Sequence, residues 1–250
     1  MERYQIILAY DGTGFQGFQR QEGDRTVQGE VEKALRQLGW LGGSILSAGR
    51  TDAGVHAAGQ VIAVDLEWNH STNALLQAMN ANLPEDVAVR NVQLTSDGFH
   101  PRYDAVRRTY HYHILVDPIR QPLKERYAWR IYPEVEVDRL HAAAQLLVGA
   151  HDFAAFGRPP KAGGSTTRQV FRAEWLAEEG GWRFEVTANA FLYHMVRRMV
   201  YLQVMAALGQ WSLERLQKGV ERAEPQLPGL APPQGLVLME VQYPLNRQEL

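Results

Sequence analysis

One ordering of hydrophobic periods governs what this chain can fold into. Strand, helix, strand, strand, helix, strand runs through its first half and returns, with additions, in its second. Arg3–Tyr10 is rich in β-branched and aromatic residues and stops at Asp11-Gly12, a strand followed by a turn. Thr26–Leu38 reads as a helix: Thr26 can cap it, Val27, Val31, Leu35 and Leu38 share a face, and Gly39 can end it. Ser44–Ser47 is a short strand, Ser47–Ala58 a loop dense in glycine and small residues, and Gln60–Leu66 an alternating strand. Ser71 caps a helix that runs to Asn80, with Pro84 just beyond it, and Val87–Leu94 is the next strand. This is the β-α-β-β-α-β order of ferredoxin-like folds.

The second half begins with Thr109–Val116, an alternating strand, and Arg126–Ile131, a second candidate. Asp138 is the expected cap of a helix with the stripe Leu140, Ala143, Ala144, Leu147 and Val148, closed by Gly149. Thr167–Leu176 and Trp182–Ala188 form a hairpin about Gly180-Gly181, two glycines suited to the positive dihedrals of a tight turn. A long helix is expected over Phe191–Leu208, ended by Gly209, then a helix from the Ser212 cap to about Ala223 and a last strand at Leu236–Val241. Two related α+β halves follow, with residues 1–104 and 105–250 as the two domains.

A chain of 250 residues fits one or two domains of about 150 residues. Its 45% hydrophobic and 22% charged residues are those of a globular protein. Cysteine is absent, which removes disulfides, thiolate metal sites and a Cys nucleophile, and fits a reducing cytoplasm. The first residues lack the basic leader and cleavage site of a secretory signal, and no run of about 18 apolar residues suggests a membrane span.

The formal charge is −2, so a generally basic nucleic-acid binder is excluded, but a local basic surface is not. Segment 100–130 holds seven Arg and Lys, among them Arg107 and Arg108, against three acids. Segment 153–173 holds Arg158, Lys161, Arg168 and Arg172 and no acid. Phosphate contacts are one use for such segments; a solvated surface is the other.

Gly12, Gly14 and Gly17 match G-x-G-x-x-G after a strand, yet eight residues separate Gly17 from the helix cap at Thr26. A dinucleotide fingerprint opens the helix at its glycines, so this one reads instead as a tight loop presenting Phe15, Gln16 and Gln19. His111 and His113 share one strand face but have no third ligand at zinc spacing, and no metal is expected. The richest segment is SAGRTDAGVHAAGQ, Ser47–Gln60. It places Arg50, Asp52 and His56 among residues too small to screen them. A loop Asp is commonly a turn former. One held near a guanidinium stays ionised and can serve as nucleophile or base.

The string GRTDAGVHA at residues 49–57 resembles the signature of the TruA-type tRNA pseudouridine synthases. Other strings follow in that family's order: Tyr10-Asp11-Gly12-Thr13 with Phe15, Gly17 and Gln19; Phe99-His100 and Arg107–Tyr112; His151-Asp152-Phe153; and Phe191–Arg197. The resemblance implies an isomerase that turns uridine into pseudouridine at positions 38, 39 and 40 of the tRNA anticodon stem-loop, with no cofactor. It implies Asp52 as the essential aspartate, Tyr110 as the aromatic residue against the target base, and Arg197 as the basic partner of the aspartate. Arg50 contacts RNA or positions Asp52. It further implies a homodimer in which one tRNA touches both subunits. The expected architecture is two ferredoxin-like halves sharing a mainly antiparallel sheet, helices packed on it, and an active-site cleft between the halves.

The chemistry detaches uracil from C1′ at N1 and rejoins it through C5. Attack at C1′, attack at C6 and abstraction from the ribose all need an ionised Asp52. Tyr110 and Tyr112 alternate on one strand, and one of them is expected in the core. Two other classes stand beside the isomerase: an RNA-binding module without Asp52 chemistry, and a nucleotide-dependent oxidoreductase resting on the three glycines alone.

Overall fold

The alternation in the first strand decides its two faces. In β1 (Glu2–Tyr10), Tyr4, Ile6, Leu8 and Tyr10 point into a core and the residues between them are only partly covered. The computed structural model describes residues 1–222 and 228–244, which divide into two units, 1–106 with the chain from Leu238, and Arg107–Val237.

The first unit follows the β-α-β-β-α-β order: β1, α1 (Val27–Gln37), β2 (Leu46–Ser47), β3 (His56–Leu66), α2 (Thr72–Asn82) and β4 (Val87–Thr95). β1 lies antiparallel between β4 and β3, with Ile6 opposite Ile62 and Val92, and β2 adds to β3. Both helices are capped as the sequence suggests: Thr26 Oγ1 accepts from Gly29 N and Ser71 Oγ from Ala74 N. Gly39 takes φ +89° beyond α1. Val31 and Leu35 of α1 and Leu75 and Met79 of α2 are fully buried.

The second unit carries β5 (Arg107–Val116), β6 (Trp129–Ile131), α3 (Val137–Gln145), β7 (Gly149–Asp152), β8 (Thr167–Glu178), β9 (Gly181–Ala188), α4 (Met195–Ala207) and α5 (Leu213–Arg222). Its strands run in the order β5-β9-β8-β7, antiparallel throughout, while the short β6 lies parallel to β5. Trp175, Phe184, Phe153, Phe156 and Tyr112 fill its core. The chain is thus mixed α+β with mainly antiparallel sheet. The last strand, β10 (Leu236–Gln242), belongs to the first unit from Leu238 onward.

Local expectations needed correction where tertiary contacts override a short signal. β3 starts at His56 rather than Gln60, so the end of the signature is strand. Glu136, not Asp138, stands at the α3 N-cap, without a side-chain cap hydrogen bond. Gly149, expected to close that helix, instead opens β7 at φ +122°. In the hairpin only Gly180 has a positive φ, +75°. Gly181 is needed for space, because a Cβ there would lie 1.9 Å from Ile114 O. α4 begins at Met195, four residues later than the apolar run, because His194 turns left-handed at φ 66°. Ala223, where α5 was expected to end, lies outside the described residues.

Candidate active site

In the first unit the site is built around the turn Asp52-Ala53-Gly54-Val55. Val55 N donates to Asp52 O at 3.1 Å, and Gly54 takes the φ of +77° that this turn requires. Asp52 is half-buried at the mouth of the turn, Arg50 is exposed two residues before it, and Thr51 between them is buried.

The turn is gripped by the segment that follows β1. Phe18 N donates to Thr51 O at 3.1 Å and Gly54 N to Phe15 O at 3.3 Å. Gly17, at φ +90°, lies on the backbone of Asp52: a Cβ there would sit 2.9 Å from Thr51 O and 3.3 Å from the Asp52 carbonyl carbon. Gly12 meets the far end of the turn, where a Cβ would lie 2.1 Å from Val55 O. Gly12 and Gly17 of the apparent G-x-G-x-x-G therefore admit backbone, while Gly14 lies by the Arg25 side chain. Gly17 O and Phe18 O in turn accept from Val27 N and Gln28 N, so the same segment fixes the start of α1.

Three polar side chains complete the grip. Tyr10 Oη bonds Thr51 Oγ1 at 2.8 Å. Tyr10 is fully enclosed, and burial pushes its phenol up to about 12. Gln60 Nε2 donates to Gly49 O at 3.0 Å. Gly12 N donates to His56 Nδ1 at 3.0 Å, with Asp11 Oδ1 3.2 Å from the same nitrogen. His56 is only 4% exposed, so this residue, which the sequence placed beside Asp52 as a candidate, anchors the loop. Tyr10 and Gln60 were missed: each reads as an ordinary strand residue, and only the fold aims it at the turn.

The second unit places the remaining candidates. Tyr110 and Tyr112, two apart, share one face of β5. Tyr112 is fully buried and donates to Pro232 O, whereas Tyr110 is half-buried and meets the edge of Phe191, ring centres 5.1 Å apart. Tyr110 thus keeps part of its ring accessible beside a second aromatic ring. Arg197, in the first turns of α4, is half-buried and donates through Nε to Ala231 O at 2.8 Å. At the start of β5, Arg107 lies over the Phe171 ring at 4.5 Å, and Arg108 donates to Asn189 O at 2.7 Å. Arg158 and Lys161 are exposed. Arg168 is not: its guanidinium holds Ser165 O and Thr167 O, so it braces the loop it was expected to present to RNA. His111 and His113 pair with Glu185 and Glu178 along the opposite face of β5.

The chain matches the family model described as tRNA pseudouridine synthase over residues 6–104 and 143–244. It is 38% identical to the tRNA pseudouridine synthase A of Geobacter sp. (strain M21), covering 98% of this chain and all of that one. It is 35% identical to the protein of the same name from Bacillus subtilis (strain 168), covering 96% of this chain and 99% of that one. The first stretch of the family model includes the Asp52 turn and the second the start of α4, while Arg107, Arg108 and Tyr110 lie between the two. This chain belongs to the tRNA pseudouridine synthase family.

Proposed function

We propose that this protein isomerises uridine to pseudouridine at positions 38, 39 and 40 of tRNA, with Asp52 as its catalytic carboxylate. The observation that carries the reading is the Asp52 turn, a carboxylate on backbone locked by two close glycines and a buried phenol. Such preorganisation suits a group that must meet one atom of a bound nucleotide.

The reaction breaks C1′–N1 and forms C1′–C5. C5 gives up its hydrogen as a proton and N1 gains one, so the conversion is redox-neutral. Asp52 acts as an anion, as nucleophile or as base. Arg197 is its basic partner, a role that rests on the family resemblance. Tyr110 offers a flat face to a uracil taken out of its stack, worth about 1–3 kcal/mol per base. Unstacking costs a few kcal/mol and is cheapest near a loop. Arg50, Arg107, Arg108, Arg158 and Lys161 supply phosphate contacts that offset part of it, and Arg168 holds its loop in shape for them. Tyr10, Gly12, Gly17 and His56 are positioning residues.

A homodimer acting in the cytoplasm completes the reading; the resemblance supports the dimer, and a cysteine-free chain suits a reducing compartment. The test uses unmodified anticodon stem-loop transcripts with a single uridine at 38, 39 or 40. Carbodiimide-dependent primer-extension stops at each of the three are expected. Product elsewhere, or none, contradicts the assignment.

A further inference from the structure

Arg198 is a buried cation that takes no part in the proposed chemistry. It lies in the first turn of α4, is 8% exposed, and its Nε is enclosed with no hydrogen-bond partner among the described residues. Its NH1 donates to Phe156 O at 2.7 Å. Among the described residues no carboxylate pairs with it. The charges that act on it are Arg158 and Arg197, which add to burial in pushing its guanidinium down. A buried guanidinium among its own kind is costly, and a buried polar group left unpaired needs an explanation.

The surroundings have the chemistry of an anion site. Phe156-Gly157-Arg158 runs beside Leu192-Tyr193, with Tyr193 N donating to Arg158 O at 2.9 Å. The two segments touch because residue 157 is glycine: a Cβ there would lie 2.5 Å from Tyr193 O and 2.7 Å from Leu192 Cβ. This close approach ties the backbone of Arg158 to the start of α4, the helix that carries Arg197 and Arg198. α4 has thirteen residues, no acid in its first turn, and no side-chain cap at His194. The positive end of a helix, two neighbouring arginines and a buried third therefore act in the same direction.

We propose that Arg198, with Arg158 and the N-terminal turn of α4, forms a phosphate-binding site that takes one phosphodiester of the RNA strand. The guanidinium fork is the group suited to two phosphate oxygens, and Arg158 would close on the same group from the loop. The choice of ligand rests on the RNA-modifying function proposed above; the anion site itself does not.

Two measurements on the whole protein separate these claims. Thermal melts compare inorganic phosphate with sodium chloride at equal ionic strength. Phosphate should raise the Tm of the wild type by about 2–4 °C and leave that of Arg198→Met unmoved. Unmodified tRNA is then titrated across a range of salt. Arg198→Met should bind about tenfold more weakly, with a salt slope lower by about one. Arg198→Lys, which retains the charge and loses the fork, should keep the slope while binding more weakly; it serves alone if the Met variant does not fold. Equal phosphate responses in wild type and Arg198→Met, or in wild type and Arg198→Lys, would overturn the site and leave Arg198 a clamp on Phe156 O. A phosphate response that depends on Arg198 with an unchanged tRNA slope upholds the anion site and overturns RNA as its ligand. Loss of isomerase activity in the wild type, with the phosphate response intact, would count against the proposed function alone.

Discussion

The backbone that carries Asp52 is gripped through its neighbour Thr51, whose hydroxyl meets Tyr10 and whose carbonyl accepts from Phe18 N. Tyr10→Phe removes the bond to the Thr51 hydroxyl and leaves that group buried, a cost of about 1–3 kcal/mol. We expect turnover to fall more than substrate affinity, which steady-state kinetics on tRNA would read as a lower kcat at similar KM. The same phenol gives a pH dependence. Its value in the folded protein is raised to about 12 from 10, so between these values the unfolded chain loses the proton and the folded chain keeps it. Stability therefore falls as pH rises from 10 to 12, by on the order of 2 kcal/mol from this group. Urea melts of Tyr10→Phe should lack that part of the fall. His111 acts at the other end of the scale. Burial pushes its imidazole below the usual 6.5 and outweighs the pull of Glu185 and Glu178, while Arg183 and His113 push the same way as burial. The unfolded chain then binds the proton first, and stability falls as pH drops below 6.5. His111→Asn should flatten that fall in melts across pH 5–7, which bracket it.

At the scale of elements, the turn, the segment after β1 and the start of α1 form one unit of backbone contact. Gly17→Ala must adopt φ +90° with a Cβ 2.9 Å from Thr51 O. The left-handed backbone alone costs about 1–2 kcal/mol, and the contact moves Asp52. A Tm lower by several degrees is expected, with a kcat loss larger than that destabilisation explains; wild-type kcat in Gly17→Ala would refute the positioning role. Most of this architecture was legible in the sequence. Alternation marks β1, the stripes and caps mark α1 and α2, and the glycine-rich string marks the loop of Asp52. What was not legible depends on contacts distant in sequence. Nothing local tells that the glycines after β1 face the Asp52 turn, that Tyr10 points at Thr51, or that His194 delays α4 by a left-handed residue. Arg198 reads as one more charge on an apolar helix until its burial is seen.

At the scale of the whole molecule, a chain of net charge −2 binds a polyanion only through local concentrations of positive charge. The loop between β7 and β8 is one such place, with Arg158 and Lys161 exposed and Arg168, at the start of β8, turned onto Ser165 O and Thr167 O. Replacing Arg158 and Lys161 by Ala should lower the salt slope of tRNA binding by about two without changing Tm. Arg168→Ala should act through loop order, lowering affinity with a smaller change in slope. Identical slopes in wild type and the double variant would make the loop a connector only. One experiment tests the role of Asp52 directly. Unmodified tRNA transcript tritiated at uridine C5 is incubated with wild type and with Asp52→Asn, whose melting should match the wild type within about 0.5 kcal/mol because the side chain is half-exposed. C5 loses its tritium when it becomes the new glycosidic atom. Release by wild type and none by Asp52→Asn is the result predicted; release by both would remove Asp52 from the chemistry, and release by neither, with tRNA bound, would make the protein a binder of RNA rather than an isomerase.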